Sequence, residues 1–99
     1  MLRYYLYMIL SFADKDTQAL ASGERIKRFQ SFEKVARRKL RQLEIAESLD
    51  DLRVPPENRL EELKGDRKGQ HNIRINRQHR VCFCWKNMSA YDVEIVDYH

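Results

Sequence analysis

The sequence predicts an α+β domain in which two N-terminal helices pack on one face of a small antiparallel sheet. Three features predict it: a helical apolar stripe in the first half, two alternating runs within residues 63–85, and a third alternating run near the end. With 99 residues the chain can bury one small core but not two. We therefore expect one domain over residues 1–99, with residues 1–7 as a possible extension ahead of an alternative start at Met8.

The composition is that of a folded, moderately basic protein. The hydrophobic fraction is 42%, the net charge is +4 and the pI is near 9.2, which favours polyanionic partners such as nucleic acid, or an acidic protein. No apolar run approaches the roughly 20 residues of a membrane span, so we expect a cytoplasmic protein without membrane contact. Cys82 and Cys84 lie two apart in one predicted strand, which favours reduced structural thiols over a disulfide or a zinc site. We expect no metal and no cofactor.

The N-terminal segment predicts a strand followed by a short helix. Residues 8–12 are mostly apolar, but the segment lacks the small-residue cleavage site of a signal peptide, so a first strand explains it better. A helix should follow over residues 14–21. Asp14 or Asp16 can cap its start, and Gly23 can end it in a left-handed conformation.

A longer helix is predicted over residues 31–47, with Ser31 as its cap. The basic residues Arg37, Arg38 and Arg41 fall largely off its apolar stripe. Such a face is usually solvated, and the alternative is contact with nucleic acid or an acidic partner. The apolar residues that repeat with helical spacing and should face the sheet are Phe32, Val35, Ala36, Leu40, Leu43 and Ala46.

Two alternating runs, residues 70–76 and 79–85, are typical of a β-hairpin, and they follow an irregular segment over residues 49–58. Directly opposed residues share a face, so the apolar side chains determine the register. A last strand over residues 91–97 should extend the sheet by the same rule. The expected pairs are Ile73 with Val81 and Ile75 with His79 in the hairpin, then Trp85 with Tyr91, Phe83 with Val93, Val81 with Ile95 and His79 with Asp97.

This register places Arg74 directly opposite Arg80 on the face away from the apolar side chains. Opposed like charges are mildly destabilising, which favours an anion such as a phosphate between them; the alternative is two solvated arginines. Tyr98 shares this face and His99 follows it. Because histidine exchanges protons near neutral pH and arginine stabilises charge on a phosphoryl group, these residues match the needs of metal-independent RNA cleavage.

Two further groups have plainer interpretations. The loop of residues 64–69 lacks the spacing of a P-loop and indicates a turn that can touch phosphate through its basic side chains. His71 and His79 have the parity of the apolar residues, which indicates buried or edge histidines with hydrogen-bond partners. Neither histidine has the spacing of a metal ligand.

The HigB-type killer toxins of the RelE/ParE superfamily resemble this chain in the stretch NRLEELKGDRKGQHNIRINRQHRVCF and in the ending VEIVDYH. The likeness extends from residues 8–12 through RVPPENRL to the terminus. It implies the RelE/ParE-like fold and a bacterial type II toxin that cleaves messenger RNA on the ribosome. It also implies a HigA-type antitoxin with a helix-turn-helix domain, which neutralises the toxin and supplies most of the complex's contact with operator DNA.

The residue roles that the resemblance implies fall on the hairpin, the loop before it and the end of the chain. Two departures from the family pattern bear on them. Glu61 stands in the region where some relatives carry a histidine, which leaves the general base unassigned, and His79 replaces the usual tryptophan before the second arginine. The implied catalytic residues are Arg74, Arg80, Tyr98 and His99, and the implied RNA-binding residues are Lys64, Arg67 and Lys68.

Two other functions are compatible with this fold and composition. Relatives in the ParE branch inhibit DNA gyrase without cutting RNA, so the fold alone does not select a nuclease. The remaining alternative is a basic protein-interaction module whose only partner is another polypeptide.

Overall fold

An antiparallel sheet covered on one face by two helices forms the centre of the computed structural model, which describes residues 9–67 and 69–97. The elements are α1 (Lys15–Ala21), α2 (Glu33–Ile45), β1 (Glu61–Glu62), β2 (Gln70–Arg74), β3 (His79–Lys86) and β4 (Ser89–Asp97). The strands lie in the order β1-β2-β3-β4. The α+β class predicted from the sequence is confirmed.

The core lies between the helices and the inward face of the sheet. Side chains alternate between the two faces of a strand, so every second residue points to the core. Five of the six residues in the predicted stripe are buried, and Val35 is partly buried against the same core. Each fully buried aliphatic or aromatic side chain stabilises the fold by about 1.5–3 kcal/mol. The strand residues in the core include Ile73, Val81, Phe83, Val93 and Ile95.

Helix α1 begins and ends at the signals present in the sequence. The Asp14 side chain accepts a hydrogen bond of 3.0 Å from the backbone N–H of Thr17, so Asp14 and not Asp16 is the cap. Gly23 follows the last turn with a φ of +102°, a left-handed conformation that costs glycine little. The predicted start and end of this helix are therefore confirmed.

The start of α2 differs from the prediction. Lys27–Phe32 form a 3-10 helix that precedes α2, so Ser31 lies within this segment and does not cap the helix. Two phenylalanines account for this 3-10 helix. Phe29 and Phe32 are both buried, and residues three apart align on one side of a 3-10 helix. Helix α2 also ends at Ile45, before the predicted end at residue 47.

The predicted first strand is reduced to two isolated parallel contacts with β4. Backbone hydrogen bonds accompany both contacts. Between them β4 bulges, which interrupts the regular ladder that a strand needs. Met8, the first residue of the predicted strand, lies outside the described residues. The contacts pair Ile9 with Ala90 and Phe12 with Val93.

The hairpin has the predicted register, and the β3–β4 pairing follows its prediction only up to the bulge. There the ladder shifts by one residue, and Asp92 has a φ of +51°. Because a one-residue shift exchanges the faces of a strand, Ala90 turns to the core and is completely buried. The predicted Trp85–Tyr91 pair is wrong. The observed pairs include Ile73 with Val81, Arg74 with Arg80, His79 with Asp97, Val81 with Ile95, Cys84 with Tyr91 and Trp85 with Ala90.

A buried lysine joins α2 to the irregular segment before the sheet. Lys39 is only 2% exposed, and its Nζ donates to Asn58 Oδ1 at 2.6 Å. The Asn58 amide donates in turn to Gln42 Oε1 at 2.9 Å and to the Leu52 carbonyl at 3.0 Å. Burial, and to a lesser extent the neighbouring Arg38, lower the pKa of Lys39. The segment is thus attached to the helix by a polar network as well as by apolar packing.

Replacing Asn58 by alanine should lower the free energy of unfolding by about 3 kcal/mol, because the buried Lys39 ammonium loses its partner. Urea denaturation of Asn58→Ala measures the loss. Gln30→Ala, which shortens an exposed amide, is the control and should stay within about 0.5 kcal/mol of wild type. Adding Lys39→Met should recover part of the loss, because methionine keeps the packing without the charge. A loss below about 1 kcal/mol in Asn58→Ala would contradict the network's role.

Candidate functional site

The arginine face is the face of the sheet opposite the helices. Residues two apart on each strand share it, because side chains alternate. The predicted placement of Arg74 and Arg80 on one face follows from the observed pairing, which also places Glu94 there. Its members in the described part of the chain include Glu61 in β1, Asn72 and Arg74 in β2, Arg80 and Cys82 in β3, and Glu94 and Val96 in β4.

Among the described residues, Asn72 and Glu61 hold Arg80 on the arginine face. Its Nη1 donates to Asn72 Oδ1 at 3.1 Å and forms an ion pair with Glu61 Oε1 at 3.5 Å. The Arg80 side chain is only 14% exposed, and Asn72 is completely buried. A guanidinium held in this way is oriented before a ligand arrives, which reduces the entropy cost of binding a phosphate.

Strand β1 brings Glu61 to this position by pairing it with Asn72. The sequence did not predict β1, because two residues are too few to show an alternating pattern. Asn72 was also absent from the predicted site. The signal that could have found it is its parity, since it lies two residues before Arg74 on the outward face and a buried amide needs a partner.

Arg74 extends away from Arg80 although the two residues are directly opposed in the ladder. Its Nε donates to the Asn76 carbonyl at 3.1 Å, at the hairpin turn, whereas Arg80 extends the other way towards Asn72. Like-charge repulsion and a separate acceptor for each guanidinium account for the divergence. The two side chains therefore serve different parts of the surface.

The loop before β2 contacts the arginine face through Arg67. This residue ends the 3-10 turn Gly65–Arg67, and its Nη1 pairs with Glu94 Oε2 at 3.3 Å. The Arg67 side chain is 45% exposed, so the pair stabilises the loop by about 0.5 kcal/mol or less. Lys64 is exposed in the same loop. Both cations are accessible to a polyanion.

Cys82 lies among these charges as a neutral thiol. Burial is the main cause that raises the pKa of Cys82 to about 11. Nearby carboxylates raise this pKa and nearby guanidinium groups lower it. Cys82 and Cys84 are both free, as predicted. Because a thiol of such high pKa is a poor nucleophile near neutral pH, Cys82 serves packing and not chemistry.

Three of the predicted site residues, Tyr98, His99 and Lys68, lie outside the described residues. The description of β4 ends at Asp97, directly before Tyr98 in the sequence. The catalytic roles of Tyr98 and His99, and the RNA contact of Lys68, stay predictions.

The two histidines of the hairpin pack against aromatic rings. His79 stacks on Phe32 with ring centroids 4.2 Å apart, and its Nδ1 lies 3.2 Å from Asn76 Oδ1. His71 stacks on Phe83 with centroids 6.0 Å apart. These contacts indicate a packing role for both rings. In residues 9–67 and 69–97, no three side chains of His, Cys, Asp or Glu are grouped so that they could hold a metal ion.

The fold and the arginine face together define a small basic α+β protein with a cation-bearing sheet. The family model described as a RelE-like toxin of the type II toxin-antitoxin system HigB matches residues 10–99. This chain is 40% identical over 80 residues to Toxin HigB-1 of Vibrio cholerae serotype O1 (strain ATCC 39315 / El Tor Inaba N16961), which covers 79% of this chain and 84% of that protein. It is also 39% identical over 54 residues, 54% of each chain, to an uncharacterized protein of Haemophilus influenzae (strain ATCC 51907 / DSM 11121 / KW20 / Rd).

The chain belongs to the HigB-like family of RelE-like toxins, as the sequence resemblance predicted. It is a toxin of a type II toxin-antitoxin system, and such a system provides an antitoxin as its partner. None of the helices within the described ranges has the length and apolar character needed to cross a bilayer.

Proposed function

We propose that this toxin is a metal-independent endoribonuclease that cleaves messenger RNA on the ribosome and binds the scissile phosphate through Arg80. The family supports a ribonuclease, since HigB and other RelE-like toxins are generally RNases. The observation that carries the proposal is the placement of Arg80, only 14% exposed and held by Asn72 and Glu61. Arginine in such a setting binds phosphate through two parallel hydrogen bonds.

In the proposed reaction, the ribose 2′ oxygen attacks the adjacent phosphate. A base removes the proton of the ribose 2′-OH, the 2′ oxygen forms a new bond to phosphorus, and the bond from phosphorus to the 5′ oxygen breaks. An acid returns a proton to the departing oxygen. The products are a 2′,3′-cyclic phosphate and a 5′-hydroxyl. Arg80 stabilises the charge that builds up on the phosphate oxygens, and Tyr98 and His99 are assigned to proton transfer at the leaving group.

Glu61 is the candidate base. It occupies the region where some relatives carry a histidine, and its carboxylate lies 3.5 Å from Arg80. An incoming phosphate competes for the Arg80 guanidinium and displaces Glu61 from its ion pair. The released carboxylate then lies beside the phosphate and within reach of the neighbouring 2′-OH.

The basic loop before β2 is assigned to RNA binding, and a HigA-type antitoxin is the protein partner. Lys64, Arg67 and Lys68 hold the backbone of messenger or ribosomal RNA, where each charge neutralised adds affinity at low salt. Arg67 can leave Glu94 and bind a phosphate with little loss of free energy, because the exposed Arg67–Glu94 ion pair is weak. The antitoxin is of the HigA type, with a helix-turn-helix domain that carries the complex to operator DNA.

Arg80→Ala should lower the rate of RNA cleavage at least 100-fold, because it removes the main cation at the reacting phosphate. Primer extension on transcripts from cells expressing the toxin without its antitoxin maps the cleavage. Arg53→Ala, which removes an exposed arginine paired with Asp50, is the matched control and should cleave like wild type. Growth arrest by wild type with intact transcripts would contradict the proposed function, and inhibition of gyrase supercoiling would then support the ParE-like alternative.

Glu61→Gln should lower kcat at least tenfold and leave KM unchanged or lower. Glutamine keeps the size of the side chain but cannot accept the 2′-OH proton, and loss of the carboxylate removes a competitor for Arg80. Steady-state cleavage of a ribosome-bound message gives both constants. If kcat stays at the wild-type value, Glu61 only positions Arg80 and another group is the base.

A further inference from the structure

A second basic site lies at the turn end of the hairpin, beside the arginine face, with which it shares Arg74. It is an open cleft of about 610 Å³ between α2, the turn Pro56–Asn58 and the residues that connect β2 to β3. Apolar and basic side chains both line it. Its lining residues are Val35, Arg38, Lys39, Pro56, Glu57, Arg59, Arg74, Ile75, Asn76 and Arg77.

The charge of the cleft is strongly unbalanced. Four arginines and one lysine line it, against the single carboxylate of Glu57. In the described part of the chain, Arg38, Arg59 and Arg77 are exposed and have no carboxylate partner. Six arginines elsewhere each have one, whereas Arg41, an exposed arginine outside the cleft, has none among the described residues. Those six are Arg25, Arg28, Arg37, Arg53, Arg67 and Arg80.

The wall of the cleft is held rigidly. The Lys39–Asn58 hydrogen bond of 2.6 Å joins the turn to α2. Arg59 directly follows the turn with a φ of +48°, a left-handed conformation that costs a residue other than glycine about 1 kcal/mol. The fold therefore keeps an arginine in a strained conformation at the rim of a basic cleft.

We propose that this cleft binds the phosphate backbone of single-stranded RNA next to the nucleotide held by Arg80. The inference rests on the proposed function, and it assigns Arg38, Arg59 and Arg77 to binding. The position of the cleft next to Arg80 favours RNA over an acidic peptide as its ligand. Arg74 is paired with Arg80 in the ladder and also lines the cleft, so an RNA strand bound at Arg80 can extend past Arg74 into the cleft.

The test is the affinity of the free toxin for a short 2′-O-methyl RNA, which lacks the 2′-OH and is not cleaved. The double variant Arg38→Ala/Arg77→Ala should raise Kd at least tenfold at low salt. The slope of log Kd against log salt should become less steep by about 1.4, the value for two phosphate contacts with a single strand. Arg41→Ala is the matched control, since Arg41 is an exposed arginine of α2 outside the cleft, and it should bind within twofold of wild type. Thermal melting confirms that each variant is folded.

Unchanged affinity and slope in the double variant would overturn the inference, as would absence of RNA binding by wild type. A double variant that binds RNA normally but loses the antitoxin would also overturn it and would assign the cleft to an acidic protein segment. The proposed function is tested separately by transcript cleavage. If wild type cleaves RNA and the double variant binds RNA as tightly as wild type, the cleft assignment fails and the nuclease assignment stands. If no RNA is cleaved but the double variant weakens binding as expected, the nuclease assignment fails alone.

Discussion

The position of Arg80 depends on the alternation of side chains along β3, which is bonded to a neighbouring strand on each side. Val81 and Phe83 are completely buried. A shift of one residue would bring them to the surface and drive Arg80 into the core, and a buried unpaired charge costs several kcal/mol. The hydrophobic core therefore determines that Arg80 lies on the arginine face.

The bulge in β4 does not alter the register around Arg80. Ala90 enters the core only because Asp92 takes a left-handed conformation and shifts the ladder by one residue. The shift is confined to the half of the sheet away from Arg80. Beyond the bulge the ladder is regular from the pair of Cys82 with Glu94 to the pair of His79 with Asp97, the last described residue.

Features set by local spacing could be predicted from the sequence, and features set by tertiary contacts could not. The hairpin register follows from the parity of Ile73 and Val81, and the cap of α1 follows from Asp14. The buried Lys39 could not be predicted, because only the distant Asn58 makes its burial possible.

The same division holds within the candidate site. Parity alone places Arg74 opposite Arg80, but the direction of each side chain depends on acceptors elsewhere in the fold. Glu61 reaches Arg80 through a strand of two residues that leaves no pattern in the sequence. The sequence thus indicates which residues share a face, and the packed structure decides which of them meet.

Two arginines that are opposed in the ladder diverge towards two different surfaces, and this divergence assigns them to two different phosphates. Arg80 contacts Asn72 and Glu61 on the arginine face, and Arg74, from the same face, lines the cleft with Arg77. A crystal structure of the protein with a 2′-O-methyl RNA tests it most directly. We expect one phosphate on Arg80 and a neighbouring phosphate in the cleft beside Arg74. A single phosphate bridging Arg74 and Arg80, with no nucleotide in the cleft, would contradict this assignment.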